Sequence, residues 1–252
     1  MVTRLAMWSP PRARSTLMMR VFEALGCSVF DEPFYAYWLK ALEKRDDPGY
    51  ELTLAAHETD WRRVVQNVLN APAGSNDWSY QKHMAIHMLP EVDLDWMSDP
   101  SFVHCFLIRD PREVIASMTE FRDLRQVLVT EGAEAAAELV GIPQLQRIYE
   151  QVLGLGQVPP VLDANRVLRD PVNVLSAFCS KLDLPFDSAQ KISWPAGQHA
   201  NDGVWAPLWY QKVFATTSLK PYKSGEVQVP AGLQPVVDAC MPTYEKLYEL
   251  SV

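Results

Sequence analysis

The 252-residue chain has no Walker A loop, and the turn after its first apolar stretch, Trp8 to Thr16, contains no glycine. That excludes the usual kinase and ATPase phosphate loop, whose glycines let backbone amides approach the phosphates and whose lysine reaches them. Cysteine is scarce: Cys27, Cys105, Cys179 and Cys240 are scattered and form no CxxC pair. A disulfide scaffold and a zinc cluster are thereby excluded, and the apolar surroundings of each cysteine read as buried, reduced thiols. There is no basic excess; the net charge is −8. Long nucleic acid is therefore not an expected partner, and cationic contacts to a smaller anion must be local. No apolar run reaches the roughly 18 residues of a membrane helix. The apolar residues between Val2 and Trp8 run into Pro10 and Pro11 rather than forming a signal peptide. The expectation is a cytoplasmic protein without a membrane partner.

What is present is an ordinary globular composition, 48% hydrophobic and 21% charged, long enough to bury a core without staples. Strand, turn and helix recur, which predicts a three-layer α/β/α domain around a mainly parallel sheet. Residues 3–8, 28–31, 78–82, 102–108 and 160–163 read as strands. Residues 15–26, 34–45, 58–70, 144–155, 171–183 and 233–250 read as helices, one opening at Pro111, and Pro242 is an expected kink. The stretch 184–230, rich in Pro, Gly, Trp and Tyr, reads as a long irregular excursion within a single domain spanning 1–252.

Three segments carry candidate chemistry. The first is the turn from Trp8 to Thr16. A helix N-terminus attracts anions through its unpaired N–H groups and positive dipole end. Arg12 and Arg14 add guanidinium donors, while Ser15 and Thr16 add hydroxyls. The bland alternative is a capped helix with two surface arginines. The second segment runs Arg109-Asp110-Pro111-Arg112-Glu113-Val114-Ile115-Ala116-Ser117. Here Arg109 ends a buried strand at the carboxyl edge, where doubly wound sheets bind ligands, and Asp110 and Pro111 open a helix. The third, Asp163 to Pro171, reads as strand, capped turn and helix.

These segments, in this order, resemble the sulfotransferases that use 3′-phosphoadenylyl sulfate. Pro11-Arg12-Ala13-Arg14-Ser15-Thr16 is similar to the family's 5′-phosphosulfate loop, P-[KR]-S-G-T-T, with Arg14 standing where glycine is usual. Arg14 must then keep a negative φ or accept strain. Arg109 through Ser117 matches R-[ND]-P-x-[DE]-x-x-x-S, whose Arg and Ser bind the 3′-phosphate. The opening MWSPPRARST and the later FDEPFYA also resemble a compact bacterial and plant subgroup. The resemblance implies a P-loop-like sulfotransferase fold, with Arg12, Ala13, Arg14, Ser15, Thr16, Arg109 and Ser117 on the nucleotide. It also implies transfer of a sulfonyl group to a hydroxyl or amine, with the bisphosphate nucleotide PAP as product and no metal.

Such a transfer needs a base and a stabiliser of the leaving oxygen. The resemblance offers two bases. Glu32 follows Arg12 by the twenty residues seen in some branches, and His83 sits beside Lys82 where other branches carry K-x-H. Histidine needs no large shift to act near neutral pH; Lys82 would stabilise charge, as would Arg12. Both bases stay open on the sequence. His83 and His87 lack a third metal ligand nearby. Phe34, Tyr35, Tyr37 and Trp38 are expected to wall an acceptor pocket. The resemblance places the excursion at about 184–230 over the cofactor and acceptor, with Trp205, Trp209, Tyr210 or Tyr222 stacking on adenine or lining the pocket and Lys220 or Lys223 reaching the 3′-phosphate. A chain this short favours a small-molecule acceptor. The competing classes are a nucleotide-dependent kinase-like transferase and a non-catalytic nucleotide-binding protein.

Overall fold

The computed structural model describes residues 2–189, 192–222, 225 and 227–252. In its first half, β1 (Thr3–Ser9), α1 (Ser15–Ala24), β2 (Ser28–Asp31), α2 (Tyr35–Ala41), α3 (Tyr50–Ala56), α4 (Trp61–Leu69) and β3 (Trp78–Met84) follow in chain order. Then come β4 (Phe102–Ile108), α5 (Pro111–Met118), α6 (Leu124–Glu131), α7 (Ala133–Val140), α8 (Ile142–Gly154) and β5 (Val161–Asp163). The rest is helical: α9 (Ala164–Arg169), α10 (Pro171–Lys181), α11 (Ala206–Trp209), α12 (Gln211–Phe214) and α13 (Gln234–Glu249). The strands form a five-stranded sheet in the order β2-β3-β1-β4-β5, with β2 parallel to β3 and β4 parallel to β5. This is the α/β architecture the recurring pattern implied.

The chain divides into two compact units: residues 1–7, 16–103 and 189–219 form one, and residues 8–15, 104–188 and 220–252 the other. In the first unit, alternation along β3 sets the packing. Tyr80 stacks on Phe22 of α1 at 4.6 Å, while Gln81 on the other face donates to the Val68 carbonyl of α4. Lys82 thus belongs to the α1 face and His83 to the α4 face. Residues 35–50 and 204–214 share an aromatic core that includes Tyr35, Trp38, Trp205 and Tyr210. The excursion is therefore held by buried aromatic rings and contains the short helices α11 and α12.

In the second unit, α5, α7 and α13 bury Val114, Ile115, Ala136, Val140, Val236 and Cys240 together. Asp110 caps α5 by accepting from the Arg112 amide at 2.9 Å, and Pro111 takes the first helical position. Asp163 caps α9 through the amides of Asn165 and Arg166. Helices α3, α6 and α7 were not expected. Between α6 and α7 stands Gly132 at φ 95°, a break that hides two short helices in one Ala- and Glu-rich stretch. Pro242 lies inside α13, which continues past it.

Candidate active site

In the second unit, the turn after β1 is wound left-handed at alternate residues. Arg12 has φ 64° and Arg14 φ 66°, with Ala13 between them outside that region. Arg14 has therefore not kept the negative φ that would have spared it strain. Left-handed backbone costs an L-residue about 1 kcal/mol, and alternation of this kind turns successive N–H groups into a concave anion nest. Helix α1 begins directly after it, at Ser15.

Three arginines and one carboxylate organise the surroundings of this nest. Arg109 donates to the Arg12 carbonyl at 2.7 Å and makes two bonds to Glu113 Oε2, at 2.9 and 2.6 Å. Arg14 reaches the same oxygen at 3.0 Å and also donates to Asn165 Oδ1. Asn165 and Tyr222 donate to Glu113 Oε1 at 2.7 and 2.9 Å. Burial works against an ionised Glu113, but Arg109 outweighs it, aided by Tyr222 and Arg14, and its carboxyl lies below the ordinary glutamate range. Burial in turn lowers the Arg14 pKa, as does repulsion from Arg109. Arg12 lies with its guanidinium over Phe121 and donates from Nε to Ser117 Oγ at 2.9 Å. The predicted Arg12, Arg14, Arg109 and Ser117 are thus brought together. Glu113 and Asn165 were missed as members of the group, whereas Tyr222 belongs to the excursion expected over the cofactor.

Beside it, within the same unit, a cleft of about 540 Å³ is lined by Arg112, Asp163, Asn165, Tyr222, Tyr244 and Tyr248, among others. Arg169 stacks on Tyr222 at 4.6 Å, and Tyr244 donates to Asp163 at 3.2 Å. Lys220 is exposed; Lys223 lies outside the described residues.

In the first unit the motif is inverted: one ammonium sits between two carboxylates. The β2–β3 register sets Asp31 opposite Lys82, so their side chains share a face. Lys82 Nζ lies 2.7 Å from Asp31 Oδ1, 2.9 Å from Glu32 Oε1 and 3.1 Å from Thr16 Oγ1 of α1. It also donates to the Tyr210 hydroxyl at 2.5 Å. Consecutive residues of a strand point to opposite sides. Glu32 nonetheless joins Asp31 on Lys82 because its own φ is 44°, a left-handed turn that ends the alternation. The Tyr210 hydroxyl, with one proton to give, stands 2.9 Å from Asp31 and 3.2 Å from Glu32, and accepts from Trp205 at 3.0 Å. Burial opposes the charge on Lys82, but Asp31 and then Glu32 outweigh it, so the ammonium is held above the ordinary lysine range. Burial pushes the Tyr210 hydroxyl well up, as does Asp31, so it stays a donor.

His83 faces away from Lys82. Its Nε2 lies 3.1 Å from Gln81 Oε1, and its ring packs near Phe34 and Trp96. His87 Nε2 stands 3.9 Å from Glu32. The expected acceptor wall is core instead: Phe34, Tyr35, Tyr37 and Trp38 are all buried, with the Tyr35 and Tyr37 hydroxyls bound to Asp47 and Glu91. Sequence patterning marks such aromatics equally well for a core and for a pocket. Among the described residues no group of three or more His, Cys, Asp or Glu is arranged to hold a metal, and no helix is long and apolar enough to cross a membrane. All four cysteines are free and buried.

A mostly parallel sheet flanked by helices, with an arginine-bearing turn after its first strand, defines an α/β domain. The family follows from comparison: the family model described as the sulfotransferase domain matches residues 3–249, and the chain belongs to that family. It is also similar to two Arabidopsis thaliana proteins, branched-chain-amino-acid aminotransferase-like proteins 1 and 2, at 32% and 29% identity over 241 residues. The matched region is 95% of this chain, and the chain spans about 40% of the length of those relatives. Among solved structures it resembles the sulfotransferase domain from the curacin biosynthetic pathway (TM-score 0.50, 16% identity, 98% of both chains). It also resembles the sulfotransferase domain from the Synechococcus PCC 7002 olefin synthase (TM-score 0.50, 16% identity, 98% of this chain and 95% of that one). At that identity the likeness speaks for the fold.

Proposed function

We propose that residues 1–252 act as one sulfotransferase domain that moves a sulfonyl group from 3′-phosphoadenylyl sulfate to a hydroxyl or amine of a small-molecule acceptor. The observation that carries this reading is the nest at Arg12 and Arg14 on the N-terminus of α1, surrounded by arginines that outnumber their one buried carboxylate. Backbone N–H groups and guanidinium donors aimed at one place suit a dianionic group far better than a neutral one. In this reading the amides of residues 12–16 take the 5′-phosphosulfate, and Arg109 and Ser117 take the 3′-phosphate. The cleft beside Tyr222 and Tyr244 takes the base.

Glu32 is the better placed of the two bases. It stands beside Lys82, with its side chain 13% exposed, whereas His83 faces the other side of β3. As the acceptor oxygen forms its bond to sulfur, its proton passes to Glu32. The bond from sulfur to the nucleotide's bridging oxygen breaks and PAP departs with that electron pair; Lys82 is the charge stabiliser beside Glu32. Positioning and electrostatics do this work, by analogy with phosphoryl transfer. The four buried thiols agree with a reducing, cytoplasmic setting.

The test is calorimetric titration with 3′-phosphoadenosine 5′-phosphate, without metal, on the wild type and on Arg109→Ala. Micromolar binding is expected in the wild type, weakened about 100-fold in the variant, since a charged hydrogen-bond donor contributes roughly 1.5–3 kcal/mol. No binding of PAP together with Mg²⁺-dependent binding of ATP would replace this reading with a kinase-like one. Silence with both would leave a non-catalytic protein.

A further inference from the structure

Asp31 has no part in the reaction as just described, yet it is the best-secured group around Lys82. Its Oδ1 lies 2.7 Å from Nζ, its Oδ2 accepts from the Gly203 amide at 3.0 Å, and the Tyr210 hydroxyl lies 2.9 Å from both oxygens. Its side chain is 1% exposed, as is that of Lys82, whereas Glu32 is 13% exposed. A sealed ammonium needs a counter-charge; burial pushes the Asp31 carboxyl above its ordinary range, while Lys82 and the Gly203 amide pull it back toward the anion. Glu32 cannot be that counter-charge throughout turnover if it is the base, because it loses its charge when it takes the acceptor's proton.

We propose that Asp31 is a positioning residue: it is the fixed counter-charge of Lys82, which leaves Glu32 free to turn to the acceptor and to be neutralised without stranding a buried cation. The proposal rests on the roles assigned above to Lys82 and Glu32. The neighbouring elements supply the remaining groups: the Thr16 and Tyr210 hydroxyls accept from Lys82, and His87 stands 3.9 Å from Glu32. His57 feels the Asp31 charge but is lowered chiefly by burial.

The experiment follows the Lys82 side chain by NMR in ¹³Cε-lysine protein, without nucleotide or acceptor, its signal assigned by loss in Lys82→Met. In the wild type the signal is expected not to titrate below about pH 10, close to the free lysine value. In Asp31→Asn its midpoint should fall by at least about one unit, the effect of removing one adjacent opposite charge, and by less in Glu32→Gln. Equal midpoints in all three proteins, or a larger fall in Glu32→Gln, would overturn the proposal. Should Asp31→Asn prove too unstable, urea unfolding decides. Adding Lys82→Met is expected to restore stability to Asp31→Asn more than to Glu32→Gln, and the reverse order refutes it. Turnover of Glu32→Gln tests the base separately. Full activity there would remove the base reading while leaving the Lys82 titration to stand or fall alone.

Discussion

The two charged clusters are inversions of one another. Around Lys82 a single cation is enclosed by the carboxylates of Asp31 and Glu32. Around Glu113 a single carboxylate is enclosed by the guanidinium groups of Arg14 and Arg109, with Arg12 linked through its own carbonyl. Each uses a tyrosine from late in the chain, Tyr210 or Tyr222, to satisfy the central group. The difference lies in the surplus. The first cluster is left with carboxylate to spare, which attracts a proton. The second is left with guanidinium to spare, which attracts an anion. The transfer proposed above would draw on both surpluses, one to take a proton and the other to hold the donor.

The sharpest break of the first cluster is Glu32→Gln. The amide keeps the shape and accepts from Lys82 but takes no proton. Turnover should fall by about 10²–10⁴-fold, the range for loss of a positioned general base. PAP affinity, measured by calorimetry, should hardly change, because the anion nest belongs to the other cluster. A parallel loss of PAP binding would show that the two clusters are not functionally separate.

How much of this the sequence disclosed depended on the range of the interaction. Strands β2 and β4 were legible to the residue, since their short apolar runs end at turn formers, and the cap at Asp110 with Pro111 behind it was plain. Arg12, Arg109 and Ser117 were legible as a spaced motif. Asp31 was passed over for Glu32. Only the β2–β3 register shows that Asp31 faces Lys82, and only the left-handed φ of Glu32 shows that both do. Asn165 and Tyr222 meet Glu113 across 52 and 109 residues of chain, a distance no local pattern spans. Strand alternation along β3 accounts for Lys82 and His83 pointing apart.

The second cluster can be tested through its backbone. At Arg14 the left-handed φ penalises any residue with a Cβ, so Arg14→Gly should be more stable to urea than Arg14→Ala by about 1 kcal/mol. Both variants lose the same contacts to Glu113 and Asn165, which leaves the backbone as the difference. Equal stabilities would mean that the nest is not held in its left-handed form.

The smallest effect concerns acid. Glu113 is held below the ordinary glutamate value despite its burial, because Arg109 and its other donors favour the carboxylate. A carboxylate depressed in the folded state stabilises it above the unfolded value, near 4.3, and that contribution is lost as pH falls through the lower folded value. Urea midpoints of the wild type should therefore decline in the window beginning just above pH 4, and the decline should be shallower in Glu113→Gln, which has no proton to bind. In the other cluster the sign differs for Lys82. Its raised value makes its contribution fully present below the unfolded lysine value, to be lost only as pH rises above it. A Glu113→Gln profile as steep as the wild type's would mean that the arginines do not hold Glu113 as an anion, and with that the inversion between the clusters would fail.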